Sequence, residues 1–176
     1  MIKKLVLVAA LAALAACSPK PRDSGEGLGP FAPRDGGGSA KTVAAGQAFL
    51  AKNAKQPGVV TLPSGLQYKI VREGPPGGVH PKPQDEVKVH YEGTLLDGTV
   101  FDSSYKHGQP VVFTLGGLIP GWVEGIQLMK PGDEFMLYVP SKLGYGDSEA
   151  GPIPPGSTLV FRIELLGVLQ HSTGLG

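Results

Sequence analysis

Cysteine is nearly missing from this sequence: 176 residues hold a single one, Cys17. A disulfide within the chain is thereby excluded, and so is a structural zinc site built on several thiolates. Histidine is scarce as well. His80, His90, His107 and His171 show neither the HExxH spacing nor any paired-ligand spacing, so no metal centre is expected. Charge of one sign is not in excess, the formal net being +1, and no basic field points to nucleic acid. The glycine runs Gly36-Gly37-Gly38 and Gly116-Gly117 lack the strand, loop and Lys of a phosphate cradle. Asp133-Glu134, directly after Pro131-Gly132, reads as a solvated charge pair in an exposed turn rather than an acid/base pair. No apolar run reaches the roughly 20 residues needed to span a bilayer. What the sequence holds in plenty is Gly, at 27, and Pro, at 17, and much of that excess sits in one segment.

That segment follows a leader. Residues 1–16 place Lys3 and Lys4 ahead of the apolar run Leu5 to Ala16, which is the shape of a secretory signal peptide. Leu14-Ala15-Ala16-Cys17 resembles the bacterial lipobox, which implies cleavage before Cys17 and acylation on it. Several acyl chains, at about 0.8 kcal/mol for each buried CH2, hold a chain stably to a lipid bilayer. Residues 17–39, dominated by Pro, Gly, Ser and charge, cannot bury enough apolar surface to fold and read as a tether spanning roughly 25 Å. The expected location is therefore outside the cytoplasm, on the periplasmic side of a bacterial membrane as a lipoprotein, the outer membrane being the first choice.

Ordered structure is expected from there on. Ala40 to Lys55 carries good helix formers, with Val43, Phe49 and Leu50 apolar and Gly46 weakening the middle, so a short helix is placed in residues 40–56. Beyond Pro57-Gly58 the periodicity changes to two. Leu66, Tyr68 and Ile70 alternate with polar residues, as do Val87, Val89 and Tyr91, which predicts half-buried strands. Asp97-Gly98 predicts a hairpin with a type I′ turn. Further strands are expected at Val111 to Leu115, Phe135 to Val139 and Leu159 to Leu166. One helix interrupts them: Gly121 to Met129 puts Trp122, Ile126 and Met129 at helical spacing between Pro120 and Pro131. The fold class is α+β, an antiparallel sheet with one face on a short helix, in one domain at residues 57–170 with a tail at 171–176.

Aromatic and aliphatic residues crowd the turns of that domain, and taken singly each reads as ordinary core. Together they form a pattern. Through VHYEGTLLDGTVFDSSY, LGGLIPGWVEGIQLMKPGD, LGYGDSEAGPIPP and STLVFRIELLGV the chain resembles the FKBP-type peptidyl-prolyl cis-trans isomerases. FLAKNAKQPGVVTLPSGLQYKIVREG is similar to the stretch leading into the catalytic domain of exported bacterial members, so the resemblance runs from about Ala48 to Val168. It implies a half-barrel sheet curled around the Trp122 helix, and a pocket between the two. The residues it assigns to catalysis are Tyr91, Phe101, Asp102, Ile119, Trp122, Tyr145 and Phe161, with Val111, Leu118 and Ile153 as further substrate-binding positions. Trp122 becomes the floor, Tyr145 the rim with Ile153, and Asp102 the one charge pointing inward.

The implied activity is rotation of X-Pro bonds in exported polypeptides, without a cofactor and without a metal. Implied partners are proline-containing chains and macrolide inhibitors of the tacrolimus type. The alternative is a non-catalytic binding or chaperone module using the same groove. His107 stands where the family often has an Arg facing the inward Asp, so a pH-dependent pairing of His107 with Asp102 is expected. Val111 replaces a common aromatic wall residue, and Gly151-Pro152 inverts the usual order in the flap. Exported relatives of the family dimerise through a long helical N-terminal domain; with only a short helix here, a monomer is expected.

Overall fold

The computed structural model describes residues 37–170, with side chains from Ser39 onward. The leader, Cys17, most of the 17–39 segment and the tail at 171–176 lie outside the described residues.

The described chain opens with helix α1, Gly37–Asn53, and continues through strands β1 (Val59–Thr61), β2 (Gln67–Arg72), β3 (Glu86–Thr94), β4 (Val100–Ser103) and β5 (Val111–Thr114). Helix α2 (Pro120–Ile126), β6 (Glu134–Val139) and β7 (Leu159–Leu169) complete it. The strands form one antiparallel sheet in the order β1-β2-β6-β7-β3-β4, with β5 also paired to β3. Alternation works as expected on β3, where Val87, Val89 and Tyr91 are buried. Facing residues on β6 and β7, among them Leu137, Val139, Ile163 and Leu165, complete a core closed by Trp122, Ile126 and Met129.

Helix α2 lies close to the sheet because it offers glycine at the contact. A Cβ on Gly125 would sit 2.6 Å from Leu137 Cδ1, and one on Gly121 would sit 2.6 Å from Val139 Cγ1. The helix is shorter than expected, ending at Ile126. From there Leu128 N donates to Gly125 O and Met129 N to Ile126 O, tight bonds that bring Met129 into the core ahead of Pro131.

Several expectations are corrected. Ile70 is 41% exposed rather than half-buried. Its neighbour β1 pairs only Val59 to Thr61 with Gln67 to Lys69, so β2 runs on uncovered past that point. The Asp97-Gly98 hairpin closes with Leu95 N donating to Thr99 O and Gly98 N to Leu95 O. That is a three-residue loop with Gly98 at φ 86°, the left-handed residue that follows a type I turn, rather than a two-residue type I′ turn. Helix α1 packs onto the sheet. It covers the sheet face opposite α2, where Gln67 donates to Leu50 O at 2.9 Å and accepts from Asn53 Nδ2 at 2.9 Å. Phe49 meets the Tyr138 ring at 5.9 Å. Gly46, which propensity marks as a weak point, is where the helix touches the Thr158 side chain.

Asp133 and Glu134 are buried, not solvated. Asp133 accepts from Gly74 N at 2.6 Å, Lys130 N at 2.9 Å and Lys130 Nζ at 3.2 Å. Glu134 accepts from Arg162 Nε at 2.6 Å. Burial disfavours the Asp133 charge, but these donors outweigh it and hold the carboxyl below its ordinary value of 3.8. Because the folded-state value is the lower one, this group stabilises the fold above about pH 4, and the stabilisation is lost as pH falls through the folded value. Urea midpoints of the wild type are expected to drop below about pH 4. In Asp133→Asn that acid-linked component should shrink; an identical acid profile in the variant would show that the group is uncoupled from folding.

Candidate active site

Five strands and one helix bring one aromatic cluster together. Tyr91 projects from β3, Phe101 and Asp102 from β4, Phe113 from β5, Trp122 from α2 and Phe161 from β7, while β6 packs behind through Leu137 and Val139. Leu118 and Ile119 enter from the segment before α2, and Tyr145 from the loop after β6. Together they line a cavity of about 210 Å³.

Trp122 is its floor. Its ring meets Tyr91, Phe113 and Phe161 edge-on, at centroid distances of 5.1, 6.0 and 5.2 Å. Phe101 extends the wall, edge-on to Phe161 at 5.6 Å. These contacts suit the ring quadrupoles and fix each ring against its neighbours. Gly93 on β3 makes room for them: a Cβ there would sit 2.6 Å from Phe101 Cε2 and Cζ and 2.8 Å from Phe161 Cε1. The Trp122 Nε1–H is buried with no hydrogen-bond acceptor among the described residues. Tyr145, at 42% exposure, stands at the mouth.

The polar groups are few. Tyr91 Oη donates to Asp102 Oδ2 at 2.6 Å, and Asp102 Oδ1 accepts from Ser103 N at 2.8 Å. Burial first, then the hydrogen bond and charge of Asp102, push the Tyr91 phenol far above its ordinary range, so it stays protonated. Ser104 Oγ accepts from Tyr91 N at 2.8 Å and fixes the strand behind the ring. The Ile119 N–H, just ahead of α2, donates to no acceptor among the described residues. The arrangement is an aromatic box with one carboxylate at its edge and polar groups at its lip. It holds no pairing of a nucleophile with a base among its lining residues.

Of the ten residues assigned to the site from sequence, eight line this cavity: Tyr91, Phe101, Asp102, Leu118, Ile119, Trp122, Tyr145 and Phe161. Two do not. Val111 is half-buried at the outer end of β5, and Ile153 is buried in the core beside Ala150. Phe113, two residues on and on the same strand face, lines the cavity where Val111 does not. An aromatic at period two from the assigned wall residue, and close in sequence to Leu118, was the available signal. Asp102 lines the cavity yet is exposed, so it borders the mouth rather than pointing into the interior. His107 makes no side-chain bond to Asp102; Tyr91 and the Ser103 amide hold that carboxylate instead.

Comparison with known proteins gives the family. Residues 77–166 match the family described as FKBP-type peptidyl-prolyl cis-trans isomerase, and residues 36–70 the domain amino-terminal to it. The chain is 52% identical over 123 residues to the FKBP-type peptidyl-prolyl cis-trans isomerase FkpA of Aeromonas hydrophila, covering 70% of this chain and 45% of that protein. It is 51% identical over 126 residues to the outer membrane protein MIP of Legionella longbeachae, covering 71% and 53%. The chain thus spans about half the length of the curated relatives it matches. Among solved structures, FkpA of Escherichia coli superposes with a TM-score of 0.72 at 46% identity, covering 74% of this chain and 61% of that one. A peptidyl-prolyl cis-trans isomerase of Pseudomonas syringae superposes with a TM-score of 0.69 at 36% identity, covering 81% and 100%. On sequence and fold alike, the chain belongs to the FKBP-type peptidyl-prolyl cis-trans isomerase family.

Proposed function

We propose that this chain catalyses cis-trans rotation about X-Pro bonds of exported polypeptides, and the observation that carries the reading is the Trp122-floored aromatic box with no reactive pair in it. Rotation meets a barrier of about 18 to 20 kcal/mol because resonance flattens the bond and separates charge across it. In the twisted transition state that separation is lost. A dry apolar wall therefore stabilises the twisted imide relative to the planar one, and lowers the barrier without breaking a bond. In this reading the proline ring lies on Trp122, Tyr145 Oη and the Ile119 N–H hold the flanking carbonyls, and the Tyr91-bound Asp102 carboxylate is a positioning acceptor. Macrolides of the tacrolimus type occupy the same box. The test is the rate of cis-to-trans conversion of an X-Pro peptide with and without the protein, and with tacrolimus. Acceleration proportional to protein and suppressed by the macrolide supports the reading; the uncatalysed rate throughout rejects it, and suppression of aggregation with no rate gain would point to a non-catalytic module.

Trp122 is the one tryptophan of the sequence, which makes the site visible. Filling the box with an X-Pro peptide changes the surroundings of a ring that is 5% exposed, so its emission is expected to shift in a saturable way. A titration with no change in emission would place binding elsewhere.

We further infer export and attachment: residues 1–16 as a removed signal, an acylated Cys17, a tether that ends at 36 rather than at 39 because α1 begins at Gly37, and a monomeric isomerase domain held on the periplasmic side of the outer membrane. The lipobox resemblance and the outer-membrane name of one relative support this. Among the described residues no helix is long and apolar enough to cross a membrane. Mass spectrometry of the mature protein tests the attachment: acyl mass on Cys17 is expected, and an unmodified Cys17 would contradict it.

A further inference from the structure

The loop between β6 and β7 carries Tyr145 to the mouth of the cavity, and helix α1 braces that loop from outside. Residues 145 to 148 form a turn closed by Ser148 N donating to Tyr145 O at 3.1 Å, and Gly156 N donates to Gly146 O at 2.8 Å, tying the two limbs of the loop together. The first two turns of α1 reach this unit at two points. Ser39 Oγ donates to Asp147 Oδ1 at 3.0 Å. Gly156, at φ 75°, leaves space that Val43 and Ser39 fill, since a Cβ there would lie 2.7 Å from Val43 Cγ2 and 2.9 Å from Ser39 O. One turn further along, Gly46 rests on Thr158 at the foot of the same loop.

The other half of α1 is fixed to the sheet. Its Leu50 carbonyl and Asn53 amide hold the buried Gln67 of β2, and Phe49 packs on Tyr138 of β6. A 17-residue helix, about 25 Å long at 1.5 Å per residue, thus spans from the sheet to the rim loop. Loops that close binding sites are drawn from the least stable parts of a fold, so an external strut changes how often such a loop holds its binding geometry.

We propose that α1, acting through Ser39 and Asp147, is a positioning element for Tyr145 and sets the affinity of the site for the polypeptide flanking the proline. This rests on the isomerase reading. Neither Ser39 nor Asp147 lines the cavity. Loss of one hydrogen bond to the loop lowers the ratio of competent to incompetent loop by up to about five-fold.

The experiment compares kcat and KM for an X-Pro peptide in the full chain, Asp147→Ala, Asp147→Asn and Ser39→Ala, each alone and with Tyr145→Phe. The expected result is a KM raised by up to about five-fold with kcat little changed in Asp147→Ala and in Ser39→Ala, and recovery in Asp147→Asn, which keeps an oxygen acceptor. With Tyr145→Phe present, Asp147→Ala is expected to add nothing, because both changes act through one hydroxyl. A purely structural role would instead lower the active fraction and kcat with KM unmoved. Unchanged KM in both single variants, or an equal effect of Asp147→Ala in the Tyr145→Phe background, overturns the proposal while leaving the isomerase reading standing. Absence of turnover in the unaltered chain would instead remove the isomerase reading on which the proposal rests.

Discussion

Phe101→Ala is expected to lower kcat/KM for an X-Pro peptide by about 100-fold while the protein still folds. Phe101 lies on β4, the last strand at its edge of the sheet, and its ring is half-buried against Phe161. Truncation opens the wall of the box next to the only carboxylate that lines it, so water reaches the place where the imide twists. An apolar site acts by being dry, and a hydrated box no longer distinguishes the twisted imide from the planar one. The cost to the fold stays below the 3 to 5 kcal/mol or so of a fully buried Phe→Ala change, because part of the ring already faces solvent. A peptide rate assay beside a thermal melt checks both halves. Loss of rate with a cooperative melt is the expected pair, and an unaltered rate would mean that the wall at Phe101 is not part of the catalytic surface.

The second large effect comes from adding a single methyl group. Gly93→Ala puts a Cβ 2.6 Å from two atoms of the Phe101 ring and 2.8 Å from Phe161. The buried Phe161 ring has no free direction in which to yield, held edge-on by Trp122 and Phe101, and the half-buried Phe101 ring can yield only outward, which opens the box. The β3 backbone cannot retreat either, being paired through Gly93 with Asp102 on one side and Phe161 on the other. Overpacking of this kind costs about 1 to 3 kcal/mol, and the rings that shift to accept the methyl are those that shape the box. Gly93→Ala is therefore expected to lose both stability and about 100-fold in rate. Adding Phe101→Leu to it should restore part of the stability but not the rate, which separates the steric cause from a general weakening of β3. A Gly93→Ala protein with normal melting and normal turnover would contradict the close approach described here.

Local pattern carried the sequence reading a long way. Alternation placed Val87, Val89 and Tyr91 on the core face of β3, and helical spacing placed Trp122, Ile126 and Met129 together, because each depends on neighbours a few residues away. What escaped depends on distant partners. Asp133 was read as solvated because nothing nearby in sequence shows Gly74, 59 residues earlier, donating to it. Gln67 is an ordinary polar strand residue until α1 lies over it, and Gly46 is a weak helix residue until Thr158 needs the room. At the site, family likeness named eight of the nine lining residues and missed Phe113, whose value comes from its edge-on contact with Trp122 rather than from any motif. The expected pairing of His107 with Asp102 rested on substitution at one position, whereas the Tyr91 hydroxyl already occupies that carboxylate.

The central claim is that the aromatic box turns X-Pro bonds over, beyond merely holding them. Exchange NMR on a proline peptide at equilibrium measures that directly, because cis and trans forms give separate signals and uncatalysed exchange takes tens of seconds. A catalytic amount of the protein is predicted to produce exchange between the two sets of signals, lost in Phe101→Ala and on adding tacrolimus. Peptide that binds, shifting the Trp122 emission, while its cis and trans signals exchange no faster than in buffer would contradict the account.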